Sequence, residues 1–479
     1  MSHSPCPIFL SGEPFSSQDH KHEPLLLLLS LLMATLNSLL SRLSSYPTLH
    51  QFDQIHAHYI TSGLLRSTFV ANHLLKSSTF LSPDLTLVLF SQLDYPDLFS
   101  YNIAIKSLSQ TSHPLKSFAL YLSLLIRGFH PNEYTFCFLL DCCSNSLAHL
   151  QGRQLHAQLI KHGLNLTMFS STSLLHTYGC CGSLHDAYQL FDEMPIRSNV
   201  SWGAIINNFV THGELLRGLK LFTLMFRSGF SPTNATLVAI LCLCAKQGEL
   251  DIGRAMHGYI VASGLELNMM LGTSLIDIYS NCGLIGTAME VFASMPVKNV
   301  ASCNCLIFGL AKNGHGVKAL ELFEQMKQEL KVRPNGVTFL GVLQACTYAG
   351  LVENGVQYFI QMSRDYGIMP SLKHYGCIVD LYGKAGKVKE AMEVIRTMPM
   401  NPDNVIWVAL FSACRTHGYR ELGELMSASF IKLGADDSCG YILLSDAYAI
   451  RKRFDDVICI RRMMREMDIK KVPGFSSTC

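Results

Sequence analysis

The chain has no excess of charge of either sign: 38 Lys and Arg stand against 36 Asp and Glu in 479 residues, a formal net charge of +2. That balance is uninformative about partners and removes the electrostatic signature of a strongly basic nucleic-acid binder. No CxxC pair occurs among the seventeen cysteines, an odd number scattered as Cys142-Cys143, Cys180-Cys181, Cys242, Cys244, Cys303 and Cys305. They read as reduced, small apolar helix residues. No apolar run reaches the roughly 20 residues that span a bilayer; the longest, Leu25 to Leu29 with Leu31 and Leu32, follows Glu13, Asp19 and Glu23 with Lys21 as the only nearby cation. A secretory signal needs a positive segment there, so secretion and membrane insertion are both excluded as expectations. GxxxxGK[ST], HExxH and GxSxG are also missing, which removes the usual phosphate-loop, zinc-protease and hydrolase signatures.

What is present is a ruler of glycines: Gly182, Gly213, Gly248, Gly283, Gly314, Gly350, Gly386 and Gly418, separated by 31 to 36 residues. A period in this range marks a repeat protein, in which each unit stacks on its neighbours to complete a core that it cannot build alone. Within Asn199 to Thr233, Trp202, Ile205, Ile206 and Phe209 recur at helical spacing before Gly213, and Leu215, Leu219, Phe222 and Phe226 recur after it. Two antiparallel helices follow, the first ended by Gly213 and the second by Gly229 and Pro232. The plan repeats over 98–132, 133–167, 168–198, 199–233, 234–268, 269–299, 300–335, 336–371 and 372–403. His56, His156 and His257 recur at offsets of 100 and 101 residues, a superperiod of three repeats. They lie too far apart to converge on a metal and read as helix-face histidines packed between neighbours. Trp202 and Trp407, each fourth in a first helix, read as core anchors before base-stacking platforms.

The segments "NVSWGAIINNFVTHGELLRGLKLFTLMFRSGFSP", "GTSLIDIYSNCGLIGTAMEVFASMP" and "GVTFLGVLQACTYAGLVENGVQYFIQMSRDYGI" resemble plant pentatricopeptide repeats with alternating P, L and S variants. The resemblance runs from Met33 to about Lys471, and the cycle of lengths separates it from tetratricopeptide repeats of constant period. Two later stretches, "NVIWVALFSACRTHGYRELGELMSASFIKLG" and "GYILLSDAYAIRKRFDDVICIRRMMREMDIKKVPG", resemble the paired E motifs that close one subgroup of the family. The implied fold is all-α, a right-handed superhelical solenoid of antiparallel helix pairs. The implied organisation is a leader over 1–32, a repeat array over 33–403, E motifs over 404–471 and a tail over 472–479.

In that family each repeat addresses one base of single-stranded RNA through its fifth and last residues. Carried onto this sequence, Asn72 with Asp97 implies uracil, Asn102 with Asn132 and Asn304 with Asn335 imply a pyrimidine, Thr273 with Asn299 implies adenine, and Thr172 with Ser198 implies a purine. Gly203 with Thr233 and Gly376 with Asp403 lack a polar fifth side chain, and the L repeats place Cys137, Val238 and Leu340 there, so these repeats tolerate several bases. In the family's parallel orientation the array reads 5'-U-Y-N-R-N-N-A-Y-3'. Asn, Thr and Ser near a helix start are also favoured as caps, which is the competing reading of each one.

The resemblance implies no cofactor and no enzymatic activity. Deaminase relatives carry a further domain with an HxE and a CxxC for zinc; here His212-Gly213-Glu214 sits at a repeat turn and no CxxC follows. Relatives also continue after "KKVPG", where this chain ends in Phe475-Ser-Ser-Thr-Cys479. The function implied is a factor that directs C-to-U editing of an organelle transcript, with a deaminase-bearing pentatricopeptide repeat protein in trans and multiple organellar RNA editing factors as partners, and no membrane. The alternatives are transcript stabilisation or splicing, and a protein-binding helical scaffold. The basic cluster Arg451-Lys452-Arg453 with Arg461, Arg462 and Arg465 reads equally as a phosphate contact and as a solvated helix face. Met33 to Ser45 is Ser-rich, free of acid and carries Arg42, a transit signature for a mitochondrion, or alternatively a chloroplast, unless these residues belong to a first helix.

Overall fold

A computed structural model describes residues 48–164, 167–419 and 452–466, together with single residues at 38, 39, 41, 43, 441, 445, 448 and 449. The leader, Arg451, Lys470, Lys471, the tail and most of the E-motif region lie outside the described residues. Among those described there are 23 α-helices and no strand.

The helices come in pairs whose first member begins at the first residue of each repeat. Leu98–Ser109 precedes Ser117–Ile126, Glu133–Asn145 precedes His149–Lys161, and Met168–Cys180 precedes Leu184–Glu193. Further along, Asn234–Gln247, Met269–Asn281, Val300–Lys312, Gly336–Ala349 and Leu372–Lys384 are each followed by a second helix in the same way. The chain divides into two compact units, Met1–Asn208 and Phe209–Cys479. Within each, a first helix packs against its own second helix and against the first helix of the next repeat.

The residue types explain this plan. The eighth residue of a first helix is a fully buried aliphatic: Ile105, Leu140, Leu175 and Ile206 in the N-terminal unit, and Leu241, Ile276, Ile307, Leu343 and Val379 in the C-terminal one. Each contributes about 1.5–3 kcal/mol by leaving water, and each does so only when the neighbouring repeat covers it.

Helix ends are tied off by side chains. Asn145 Nδ2 donates to Ser109 O at 2.8 Å, Asn208 Nδ2 to Leu175 O at 2.7 Å and Asn313 Nδ2 to Ser280 O at 2.8 Å. Ser109 O and Ser280 O are among the last carbonyls of their helices, which have no partner inside their own helix, and Leu175 O lies one turn earlier. Gly213 takes a φ of +82° as the sequence requires, and Gly248 and Gly350 close the first helices of two L repeats at +74° and +70°. The third L repeat puts Leu147 in the same position, at a φ of +52°.

Among the described cysteines all but Cys180 and Cys459 are buried or half-buried. Burial pushes the Cys143, Cys244 and Cys346 thiols up to about 12. Trp202 is 1% exposed and meets the Phe191 ring edge-on at 4.7 Å, so it is a core residue. Trp407 is half-buried against the cluster that closes the last described pairs. His156 and His257 pack between neighbouring helices, each with Nδ1 2.8 Å from a tyrosine hydroxyl, that of Tyr178 and of Tyr279. Among the described residues no helix is long and apolar enough to cross a membrane, and no group of three or more His, Cys, Asp or Glu could hold a metal ion.

Candidate functional site

The last residue of a repeat is the N-cap of the next first helix, and this sets the position of the paired side chains. Asp97 Oδ1 accepts from Ser100 N at 2.8 Å, Asn132 Oδ1 from Thr135 N at 3.0 Å, Asn299 Oδ1 from Ser302 N at 2.9 Å and Asn335 Oδ1 from Thr338 N at 3.0 Å. Ser198 caps through its hydroxyl, which accepts from Ser201 N at 3.3 Å. The third helical residue completes the device. Ser100, Thr135, Ser302 and Thr338 are nearly or fully buried, and each hydroxyl receives the cap's own backbone N–H. Two donors are satisfied reciprocally, as in a capping box.

The fifth residue lies one turn on, and in three repeats the structure joins it to the last. Asn72 Nδ2 donates to Asp97 Oδ2 at 2.8 Å, Asn102 Nδ2 to Asn132 Oδ1 at 3.2 Å and Asn304 Nδ2 to Asn335 Oδ1 at 3.3 Å. Ser100 donates back to Asn72 Oδ1 at 2.6 Å, and Thr135 to Asn102 Oδ1 at 2.7 Å. The threonine repeats differ. Thr172 and Thr273 donate their hydroxyls to their own helix, at Met168 O (2.7 Å) and Met269 O (2.6 Å), and make no hydrogen bond to Ser198 or Asn299.

A donor and acceptor count then fixes what each pair still offers. Asn72 keeps one N–H beside the lone pairs of a carboxylate. Asn102 and Asn304, both buried, each keep one N–H beside the unspent amide of Asn132 or Asn335, so those pairs present donors, and Asn304 also keeps its Oδ1, which has no hydrogen bond. Thr273 presents an oxygen that has spent its proton, next to the Asn299 amide. Thr172 presents the same kind of oxygen, next to a Ser198 hydroxyl with its proton free.

The ninth residue adds charge on this side of the first helices. Lys76, Lys106 and His176 are exposed there. Burial pushes the Asp277 carboxyl up, whereas Asp141 stands exposed at the same place. Asp277 Oδ1 accepts from Asn281 Nδ2 at 3.0 Å, and Asn281 Oδ1 accepts from Lys312 Nζ at 3.2 Å. The C-terminal basic cluster is partly engaged: Arg453 pairs with Asp456 at 2.6 Å, and Arg461 Nε donates to Ser445 Oγ at 3.2 Å.

Sequence reasoning missed two sets of residues. One is the buried hydroxyl at the third place, whose signal is a Ser or Thr three residues after each cap. The other is the second place, where Phe69, Phe99, Tyr134, Phe169, Val200, Met270, Val337 and Val405 stand 49–70% exposed. Second and fifth residues are three apart and share a helix face. An apolar residue at helical spacing reads as core, so only the fold reveals its exposure.

Comparison with known proteins gives pentatricopeptide repeat matches by sequence and by structure. The PPR repeat model matches residues 169–198, 200–230, 273–300 and 373–401, the PPR repeat family model matches 298–348, and the E motif model matches 417–478. A pentatricopeptide repeat-containing protein of Arabidopsis thaliana, named as chloroplastic/mitochondrial, is 38% identical over 84% of this chain, which spans 65% of that relative's length. Another from the same plant is 32% identical over 92% of this chain and 97% of its own. The crystal structure of a maize pentatricopeptide repeat protein superposes with a TM-score of 0.67 and 18% identity, covering 87% of this chain and 61% of that one.

Proposed function

Because this chain belongs to the pentatricopeptide repeat family, with the solenoid fold of that family and an E motif, we propose that it is a sequence-specific binder of single-stranded organelle RNA. The observation that carries the reading is the hydrogen-bonded pairing of fifth and last side chains in three repeats, each leaving a defined set of donors and acceptors. Unstacked bases of single-stranded RNA expose edges that short polar side chains can read, one base per helical repeat.

The chemistry supports the bases assigned. A carboxylate only accepts, so the Asp97 side of the first pair takes the N3–H of uracil while Asn72 donates to a neighbouring carbonyl. The donor faces of Asn102 with Asn132 and of Asn304 with Asn335 suit the acceptors of a pyrimidine. Thr273 accepts from the exocyclic amine of adenine and Asn299 donates to its N1. Thr172 with Ser198 suits a purine in the same way. Each matched edge contributes about 1–3 kcal/mol by analogy with direct readout in DNA.

The finer reading is a specificity factor for C-to-U editing that recruits a deaminase in trans, working with multiple organellar RNA editing factors. The E motif supports it, since that segment closes the editing subgroup the sequence resembles. Placement in a mitochondrion or chloroplast follows the name of the Arabidopsis relative. The test is loss of function in the plant: editing at one or a few sites matching 5'-U-Y-N-R-N-N-A-Y-3' disappears, and the intact chain restores it. Unchanged editing with a shortened or unspliced transcript would overturn the editing reading and favour stabilisation or splicing.

A further inference from the structure

The direction of the hydroxyl at the third place of a first helix follows the repeat before it. A hydroxyl has one proton to give. Thr135 Oγ1 receives the Asn132 N–H at 3.2 Å and lies 2.7 Å from Asn102 Oδ1 and 3.0 Å from Asn132 Oδ1, so its proton goes to the nearer oxygen, that of the fifth residue of the preceding repeat. Ser100 is placed alike, 2.6 Å from Asn72 Oδ1 and 2.9 Å from Asp97 Oδ1. Where the fifth residue is a threonine the hydroxyl turns away: Ser201 donates to Ser198 O and Ser302 to Asn299 O, both at 3.0 Å. Capping and contact with a fifth-place amide are therefore separable within one chain.

The sequence keeps amide and hydroxyl together. Asn72, Asn102 and Asn304 are followed by third-place hydroxyls at Ser100, Thr135 and Thr338, whereas Leu271, His374 and Ile406, which carry none, follow Val238, Leu340 and Gly376, which have no amide to hold. Cys137 and Gly203 are also followed by a hydroxyl, at Ser170 and Thr236, and there it bonds the hydroxyl of the cap, Thr167 or Thr233. Burial makes the contact matter. Thr135 is fully buried and Asn102 is 6% exposed, so an Asn102 oxygen deprived of its donor is left unsatisfied or must rotate away, and an unsatisfied buried acceptor is costly. Asn304 shows the looser arrangement: Thr338 donates to Asn335 Oδ1 at 3.1 Å, and Asn304 Oδ1, also buried, has no hydrogen bond.

We infer that Ser100 and Thr135 are positioning residues for base reading by the repeat that precedes each of them: the hydroxyl holds the fifth-place amide by its oxygen, so that the amide N–H meets the base. The inference rests on the RNA-binding reading above. A reading unit then has three side chains, the third supplied by the following repeat, and two repeats with the same fifth and last residues do not read alike. A recognition group whose rotamer is locked by a partner behind it discriminates better than one free to turn.

The experiment uses the full chain and equilibrium binding to RNAs carrying 5'-U-Y-N-R-N-N-A-Y-3' in which the first, second, seventh or eighth base is changed in turn. Wild type is compared with Thr135→Val, Thr135→Ser, Ser100→Ala and Ser302→Ala, and each protein is also melted. Thr135→Val is expected to lose about 5-fold or more of the pyrimidine-to-purine ratio at the second base and to keep the adenine preference at the seventh. Thr135→Ser, which retains the hydroxyl, should read the second base as wild type does. Ser100→Ala, an independent test in a different repeat, should lose uracil preference at the first base alone. Ser302→Ala removes a hydroxyl that bonds Asn299 and not Thr273, so it should lower melting and leave the adenine preference unchanged. Wild type itself should discriminate more sharply at the second base than at the eighth. Unchanged ratios in Thr135→Val and Ser100→Ala, an equal loss at the seventh base in Ser302→Ala, or equal discrimination at the second and eighth bases would overturn the positioning role alone. Wild type that binds no single strand, or binds it without base preference, overturns the inference together with the reading beneath it.

Discussion

Asp97→Asn changes one atom type in a fully described pair, and its effect can be worked through atom by atom. Asp97 Oδ1 caps Ser100 N at 2.8 Å, and Oδ2 receives Asn72 Nδ2 at 2.8 Å. An asparagine keeps the cap through its Oδ1, and the Asn102 with Asn132 pair shows that one amide oxygen accepts both the helix N–H and the neighbouring amide, at 3.0 Å and 3.2 Å. Fold stability should therefore change by less than about 1 kcal/mol, as for exchange between two good N-cap residues. What changes is the edge on offer, from a carboxylate that accepts N3–H of uracil to an amide that donates to N3 of cytosine. One matched edge lost and one gained is about 1–3 kcal/mol, or roughly 5- to 150-fold in the uracil-to-cytosine ratio at that position. Equilibrium binding to two RNAs differing only at the first base measures it. A ratio that does not move, or one that moves equally at the adenine position, would refute the donor and acceptor argument.

Four further predictions concern folding. Leu147→Gly should raise stability: Leu147 holds a φ of +52° where Gly248 and Gly350 stand in the other L repeats, and it is 67% exposed. The αL strain released is about 1–2 kcal/mol, offset by about 0.4–1 kcal/mol of added chain entropy, so a small rise in Tm is expected and a fall would contradict the assignment of strain. Asn313→Ala should destabilise by about 1–3 kcal/mol in denaturant titration, because its amide satisfies both Ser280 O and Gly309 O at 2.8 Å. The thiols of Cys143, Cys244 and Cys346 are pushed up to about 12 from about 9, so the unfolded chain loses these protons first. Stability should hold below pH 9 and fall between pH 9 and 12, and alanine at all three should flatten that fall. His156 and His257 are shifted the other way by burial, so stability present above pH 6.5 should fall as pH drops below it.

The helical plan was legible in the sequence because glycine spacing and apolar periodicity act locally: a Gly that must take positive φ, such as Gly213, marks where the first helix stops. The paired residues were legible as positions and not as chemistry. Capping and base reading looked like rivals for Asn132 or Asn335, yet one amide has two ends, and the structure gives the oxygen to the cap and leaves the nitrogen free. The threonine pairs stay apart because a short hydroxyl finds its own backbone carbonyl first. The exposed second residues were hidden for a further reason: Phe69 and Tyr134 fit a core pattern, and only the stacking of repeats decides which helix face is covered.

Base-by-base reading is tested most directly by selection from a random RNA pool on the purified chain at physiological salt, repeated with Thr273→Asn and Asn299→Asp together. Enrichment of 5'-U-Y-N-R-N-N-A-Y-3' is expected, with adenine replaced by uracil at the one position read by that repeat and no change elsewhere. Retained RNA with no common pattern, or a pattern that the double substitution leaves untouched, would contradict it.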